Sequence, residues 1–223
     1  MNDMFLVKGT YETQDRWPLK VTKIDNYQSQ AFDATAGTYY IMLQNASYYS
    51  DSVKFESVNG AFCVNNHFTV KCQQGTAVVI EYPGLHLLES RYYVQDKLEM
   101  GNLSYIDGGT NTTAVNPGRL GDPVINYVHF PAGMTQTLHT HPSHRVGMVL
   151  KGIGRVELDD SEFPLKQGDV FFLGRNVLHN FTCPYENEDV VLFVFAPDSG
   201  TGPTDEVNPL KIRTYIGQQR YAR

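Results

Sequence analysis

Apolar residues along this chain come in short, β-branched runs cut at intervals by glycine, asparagine, aspartate and proline. Ala77-Val-Val-Ile-Glu-Tyr82 and Val146-Gly-Met-Val-Leu150 are examples, each too short for a helix and each bounded by turn residues. The pattern predicts an all-β chain. Asn126-Tyr-Val-His-Phe-Pro-Ala-Gly133 reads as a strand entering a turn, and Arg145–Gly152 as a strand ending in one. A further strand is expected at Leu103–Tyr105. Arg91–Met100 fits a short helix or a strand equally, and the polar tail Thr204–Arg223 shows no period that decides its structure.

The pattern repeats. Gly75-Thr-Ala-Val-Val-Ile-Glu-Tyr-Pro-Gly-Leu-His86 aligns without a gap on Gly168-Asp-Val-Phe-Phe-Leu-Gly-Arg-Asn-Val-Leu-His179. Upstream, offset by one residue, Gly60-Ala-Phe-Cys-Val and Gly154-Arg-Val-Glu-Leu each open a strand. Agreement over a group of strands implies one β-unit used twice. Between the copies, Gly101–Asp122 is rich in Gly, Asn, Thr and Pro and reads mostly as loop. Two domains follow, 1–100 and 101–223. The first keeps His86 but has no His-x-His before it, and is expected to be structural or dimerising.

At 223 residues the chain buries adequate cores without disulfides, and its three cysteines, odd in number and widely spaced, suit reduced thiols. Net charge is −6, with no Lys/Arg cluster to track a phosphate backbone or an anionic bilayer. Nucleic acid and membrane are therefore excluded as expected partners, leaving a small-molecule substrate or ligand. Met1–Lys8 lacks the layout of a secretory signal, which makes the cytoplasm the expected location.

Candidate chemistry concentrates in the second unit. Residues two apart on a strand face the same side, so His139 and His141 would share a face, and His179 arrives on the segment matched in the repeat.

Gly133, His139-x-His141 and Gly152, followed by Gly168 and His179, resemble the two signatures of the cupin superfamily. Asn126-x-x-x-Phe-x-x-Gly133 and Val146–Gly152 are most similar to germin-type and other bicupin sequences. The resemblance implies two tandem cupin barrels of the double-stranded β-helix, or jelly-roll, type. It implies one divalent metal held by His139, His141 and His179, and a homodimer. The glutamate usual in this ligand set is replaced by Arg145, and Gly174, Asn176 and Cys183 depart from the usual second signature.

Three imidazoles suit Fe(II), the favoured ion, and also admit Ni, Zn, Mn or Cu. Cupins without the glutamate, such as gentisate, cysteine and β-diketone dioxygenases, use three-His iron to activate O2. Their likeness implies a mononuclear dioxygenase or related oxygenase acting on a small carboxylate. Arg145 would clamp the anion, its rival readings being an ion pair with a carboxylate such as Glu157 or Asp159, or a charge that turns outward. Asn126 and Gln136 stand where germin-like sequences carry amides, as polar groups behind the ligands or as ordinary core amides. His144 reads as a solvated turn residue, with contact to substrate as its functional alternative. Two other functions stay open: a non-catalytic cupin binding a small metabolite as sensor or carrier, and a metal-assisted isomerase or lyase.

Overall fold

The computed structural model describes residues 4–13, 16–33, 37–87, 89–104 and 107–199. All regular structure among them is strand. The first half carries β1 (Met4–Leu6), β2 (Thr10–Glu12), β3 (Lys20–Ile24), β4 (Ser29–Phe32), β5 (Gly37–Ser50), β6 (Lys54–Val64), β7 (Phe68–Lys71), β8 (Thr76–Pro83) and β9 (Arg91–Val94). The second carries β10 (Leu103–Ser104), β11 (Thr110–Val115), β12 (Val124–Phe130), β13 (Arg145–Lys151), β14 (Ile153–Leu158), β15 (Glu162–Lys166), β16 (Val170–Leu173), β17 (His179–Thr182) and β18 (Val190–Ala196). The all-β expectation holds, and Arg91–Met100 resolves as the short strand β9. The strand at Leu103 runs to Ser104, while Tyr105 and the tail 204–223 lie outside the described residues.

In the second half, a seven-stranded sheet ordered β1-β16-β13-β18-β12-β11-β10 packs against a three-stranded sheet ordered β15-β14-β17. The first half is an eight-stranded sheet with the path β2-β3-β8-β5-β6-β9, to which β7 adds through β5 and β4 through β7. Alternation along β13 explains how the halves join. Val146, Met148 and Leu150 enter a shared core with Tyr40, Met42, Val78 and Ile80, whereas Val149 faces a separate core with Phe171, Leu192 and Val156. Both faces of β13 are thus covered, which is why its sequence is apolar almost throughout. Phe193 and Phe195 are fully buried in the shared core, and each such ring contributes roughly 1.5–3 kcal/mol to folding.

The first half has its own interior, filled by rings: Tyr48 packs on Phe62 at 5.2 Å and on Phe68 at 5.5 Å. Among the described residues no group of metal-ligating side chains gathers there.

Two features depart from a simple pair of repeated units. First, β1 pairs with β16, Phe5 opposite Phe172, so the start of the sequence adds a strand to the second half's sheet. Apolar Met4, Phe5 and Leu6 find the open edge of β16, and Phe5 stacks on Phe172 at 5.3 Å. Second, the repeat holds for strands but not for its histidine. β6 pairs with β9 as β14 pairs with β17, yet β9 opens at Arg91, and His86 is exposed in the connection before it. The cause is strand length: β8 runs on to Pro83, whereas β16 stops at Leu173 and the chain then turns toward His179.

Candidate metal centre

The segment 134–141 is not a regular strand, but it runs antiparallel beside β17. Gln136 N–H donates to Phe181 O at 2.8 Å, and Cys183 N–H to Met134 O at 2.8 Å. His139 and His179 exchange both backbone hydrogen bonds at 3.0 Å, which sets them directly opposite on one face. His141 completes the group. Ring centroids of His139 lie 4.4 Å from His179 and 4.9 Å from His141, with His141 and His179 at 5.3 Å. One nitrogen from each ring falls within 4.8 Å of the others.

Tautomers follow from the neighbours. Nδ1 of His139 lies 2.7 Å from Thr137 O and Nδ1 of His179 lies 2.8 Å from Val177 O. A carbonyl only accepts, so each Nδ1 carries the proton and each Nε2 keeps a lone pair for a metal. His141 Nδ1 is buried with no hydrogen-bond partner among the described residues. Burial, then the charges of Arg145, His139 and His179, hold His141 well below the usual histidine range. It is neutral, as a ligand must be. The donor set fits a divalent transition ion, and His139, His141 and His179 would hold it.

That depressed histidine has a pH signature in the metal-free protein. In the unfolded chain His141 protonates near pH 6.5, whereas in the fold it resists protonation until the pH is far lower. Below about 6.5 the unfolded state binds a proton that the fold refuses, so stability is fully present above about 6.5 and falls as pH drops toward the folded value. Thermal melts of the metal-free protein from pH 7 to pH 5 are expected to show a falling Tm, with a shallower fall for His141→Leu.

Arg145 opens β13 opposite Leu173, on the face that Val149 shows to the inner core. It is 7% exposed, and its Nη1 donates to Ser143 O at 3.1 Å, to Ser143 Oγ and to His144 O at 2.9 Å. Burial lowers its guanidinium to about 10 and the charge of Asp198 opposes that fall, so it stays cationic at neutral pH. The expected partner Glu157 is engaged by Arg155 at 2.7 Å. The carboxylate behind Arg145 is Asp198, whose Oδ1 accepts from Ser143 Oγ at 3.1 Å.

His144 corrects its reading as a solvated turn residue. It is fully buried, its ring 5.1 Å from Phe172 and edge-on to Trp17 at 6.1 Å. The chain start covers it, which local sequence does not reveal. Asn126 lies half-buried on the inner-facing side of β12, with Val128 and Phe130, and in register with Val194. Gln136 is buried and its Oε1 accepts from Phe181 N–H at 3.4 Å, tying the approach to His139 onto β17. Tyr127 and His129 take the opposite face, Tyr127 bonding Glu99 O and His129 bonding Asp189. Ser143 and Asp198 were not anticipated, since a serine after a proline and an aspartate in a polar loop carry no signal of burial.

No curated protein sequence matches the chain. A cupin domain family model matches residues 126–195. Among solved structures, a cupin 2 conserved barrel domain protein from Leptotrichia buccalis superposes with a TM-score of 0.59 at 13% identity, covering 88% of this chain and 90% of its own. A salicylate 1,2-dioxygenase from Pseudaminobacter salicylatoxidans gives 0.53 at 11% identity, with 81% and 70% covered. An iolb-like protein from Salmonella typhimurium gives 0.59 at 13%, with 83% and 86% covered. The three histidines lie inside the segment that the cupin domain model matches, and the fold as a whole is similar to that of cupin structures.

Proposed function

We propose that this chain is a two-barrel cupin in which His139, His141 and His179 hold one metal ion, Fe(II) first among candidates, and which oxidises a small carboxylate with O2. The observation that carries the proposal is the convergence of three imidazole nitrogens within 4.8 Å, with the Nδ1 protons of two already committed to carbonyls of their own chain. An iron ion bound there would supply the redox chemistry linking O2 to substrate. The residues around it do the rest. Arg145 places a fixed positive charge on the inner wall, able to orient a carboxylate. Asn126, half-buried on the same inner face, offers a donor and an acceptor to a second polar group of the substrate. The fold likeness to a salicylate 1,2-dioxygenase supports this class of reaction and substrate. The first barrel, filled with aromatic rings, serves as scaffold and as a candidate dimer surface.

The test is elemental analysis of untagged protein, followed by O2-electrode assays with salicylate, gentisate and related acids after anaerobic iron loading. About one iron per chain together with substrate-dependent O2 uptake is expected. Bound metal without uptake on any acid would favour a second reading, a non-catalytic binding protein. One observation speaks for it: Arg145 Nη1 is turned inward onto Ser143 and His144.

A further inference from the structure

The first half holds a cavity of about 360 Å³ that the metal chemistry proposed above does not use. It lies between two connections, residues 25–28 from β3 to β4 and residues 72–75 from β7 to β8. Three hydrogen bonds fix these connections to each other. Cys72 N–H donates to Gln28 O at 2.9 Å, Cys72 Sγ–H to Ile24 O at 3.4 Å, and Thr76 Oγ1–H to Asp25 Oδ1 at 3.3 Å. Asn45 Nδ2 steadies the far wall through Gln74 O at 3.4 Å. The cavity is thus preformed, and its volume falls toward the small end of the roughly 300–1,000 Å³ of small-molecule sites.

Tyr27, one of its lining residues, is anomalous. Its φ is +62°, the left-handed region that disfavours a bulky L side chain, although Asn26, a residue type that adopts this region readily, stands next to it. The side chain is 85% exposed, so packing within the fold does not account for the strain. The rest of the lining narrows the ligand. Ser29, Gln73 and Gln74 bring a hydroxyl and two amides, each able to donate and accept, and Lys71 is the one charged residue of the lining. Cys72 is not a nucleophile there, being 1% exposed with burial pushing its thiol up to about 11. Among the described residues no group of metal-ligating side chains gathers at the cavity.

We propose that this cavity is a carbohydrate site, in which one face of a neutral sugar ring stacks on Tyr27 while Ser29, Gln73 and Gln74 bond its hydroxyls. A sugar ring carries apolar C–H groups on its face and hydroxyls around its edge, which complement an aromatic ring and amides in turn. A nucleotide or another polyanion would call for more than one cation. The site belongs to the first half's sheet, apart from the three histidines, and does not depend on what they bind.

The experiment is saturation-transfer NMR on the full chain, with glucose, galactose, mannose and maltose as probes. Wild type is expected to bind at least one of them with a Kd on the order of 1 mM. Tyr27→Phe keeps the ring and should hold affinity within about twofold, since stacking needs no hydroxyl. Tyr27→Gly should weaken binding at least about tenfold and, by relieving the left-handed strain, raise Tm by about 2–4 °C. Affinity and stability moving in opposite directions is a result that a structural tyrosine would not give. The double variant Gln73→Ala/Gln74→Ala should also weaken binding about tenfold, with little change in Tm. No binding of any of the four sugars overturns the proposal, as does binding that survives Tyr27→Gly or the double variant unchanged. Loss of binding in Tyr27→Gly accompanied by a fall in Tm makes Tyr27 a structural residue and overturns it as well.

Discussion

Replacing His179 with alanine is expected to empty the metal site while leaving the barrel folded. His179 is 1% exposed and bonded through both backbone groups to His139, so its main-chain pairing survives the substitution. What disappears is one nitrogen of three, together with the Nδ1–Val177 contact that aims it. Residues that merely orient a ligand cost about 10–100-fold in metal affinity when removed, so loss of a ligand itself should cost at least about 100-fold. Metal content is expected to fall from about one ion per chain to a trace, with O2 uptake falling in parallel. The melting curve in the presence of a chelator should move by only a few degrees, because the cavity left by an imidazole costs about 1–3 kcal/mol. A variant that keeps its metal would show that the ion binds elsewhere.

Gly152→Ala is expected to destabilise the protein by about 3 kcal/mol or more. Gly152 turns the chain from β13 to β14 with φ of +87°, a left-handed conformation that disfavours any L side chain. A Cβ there would also lie 1.9 Å from the carbonyl oxygen of Asp189, a backbone atom just before β18. Relieving the clash means moving a strand that pairs with both β12 and β13. Gly133 provides the comparison, since its φ is +74° but a Cβ would meet nothing within 4 Å. Gly133→Ala should cost only the backbone penalty of about 1 kcal/mol. Urea unfolding of the two variants measures the difference, and equal losses would contradict the steric argument.

Those glycines and the three histidines were legible because their roles are local. Positive φ and the spacing His139-x-His141 are properties of a few consecutive residues, and the match between the neighbourhoods of β8 and β16 extends that legibility to a repeat. Legibility ended where tertiary partners decide. Whether Arg145 meets Glu157 or Asp198 depends on where β18 delivers the chain, and whether His144 is wet or dry depends on Trp17 arriving from the opposite end. His86 shows the converse failure. Its spacing copies that of His179, yet three-dimensional equivalence follows strand pairing, and β8 runs past the point where β16 stops. A strand-length difference of a few residues is invisible to a pattern match and enough to send a histidine into solvent.

The pairing of β1 with β16 also orders events in time. Met4–Leu6 are made long before their partners Phe171–Leu173, which emerge from the ribosome only after β2 to β15. Until then an apolar strand waits unpaired, while the growing first half assembles around its own aromatic interior. Closing so long a loop comes late and slowly in folding. The second sheet therefore carries an open β16 edge until the chain start returns to it, which makes that edge the natural point of entry for a foreign strand, or for a chaperone that shields it.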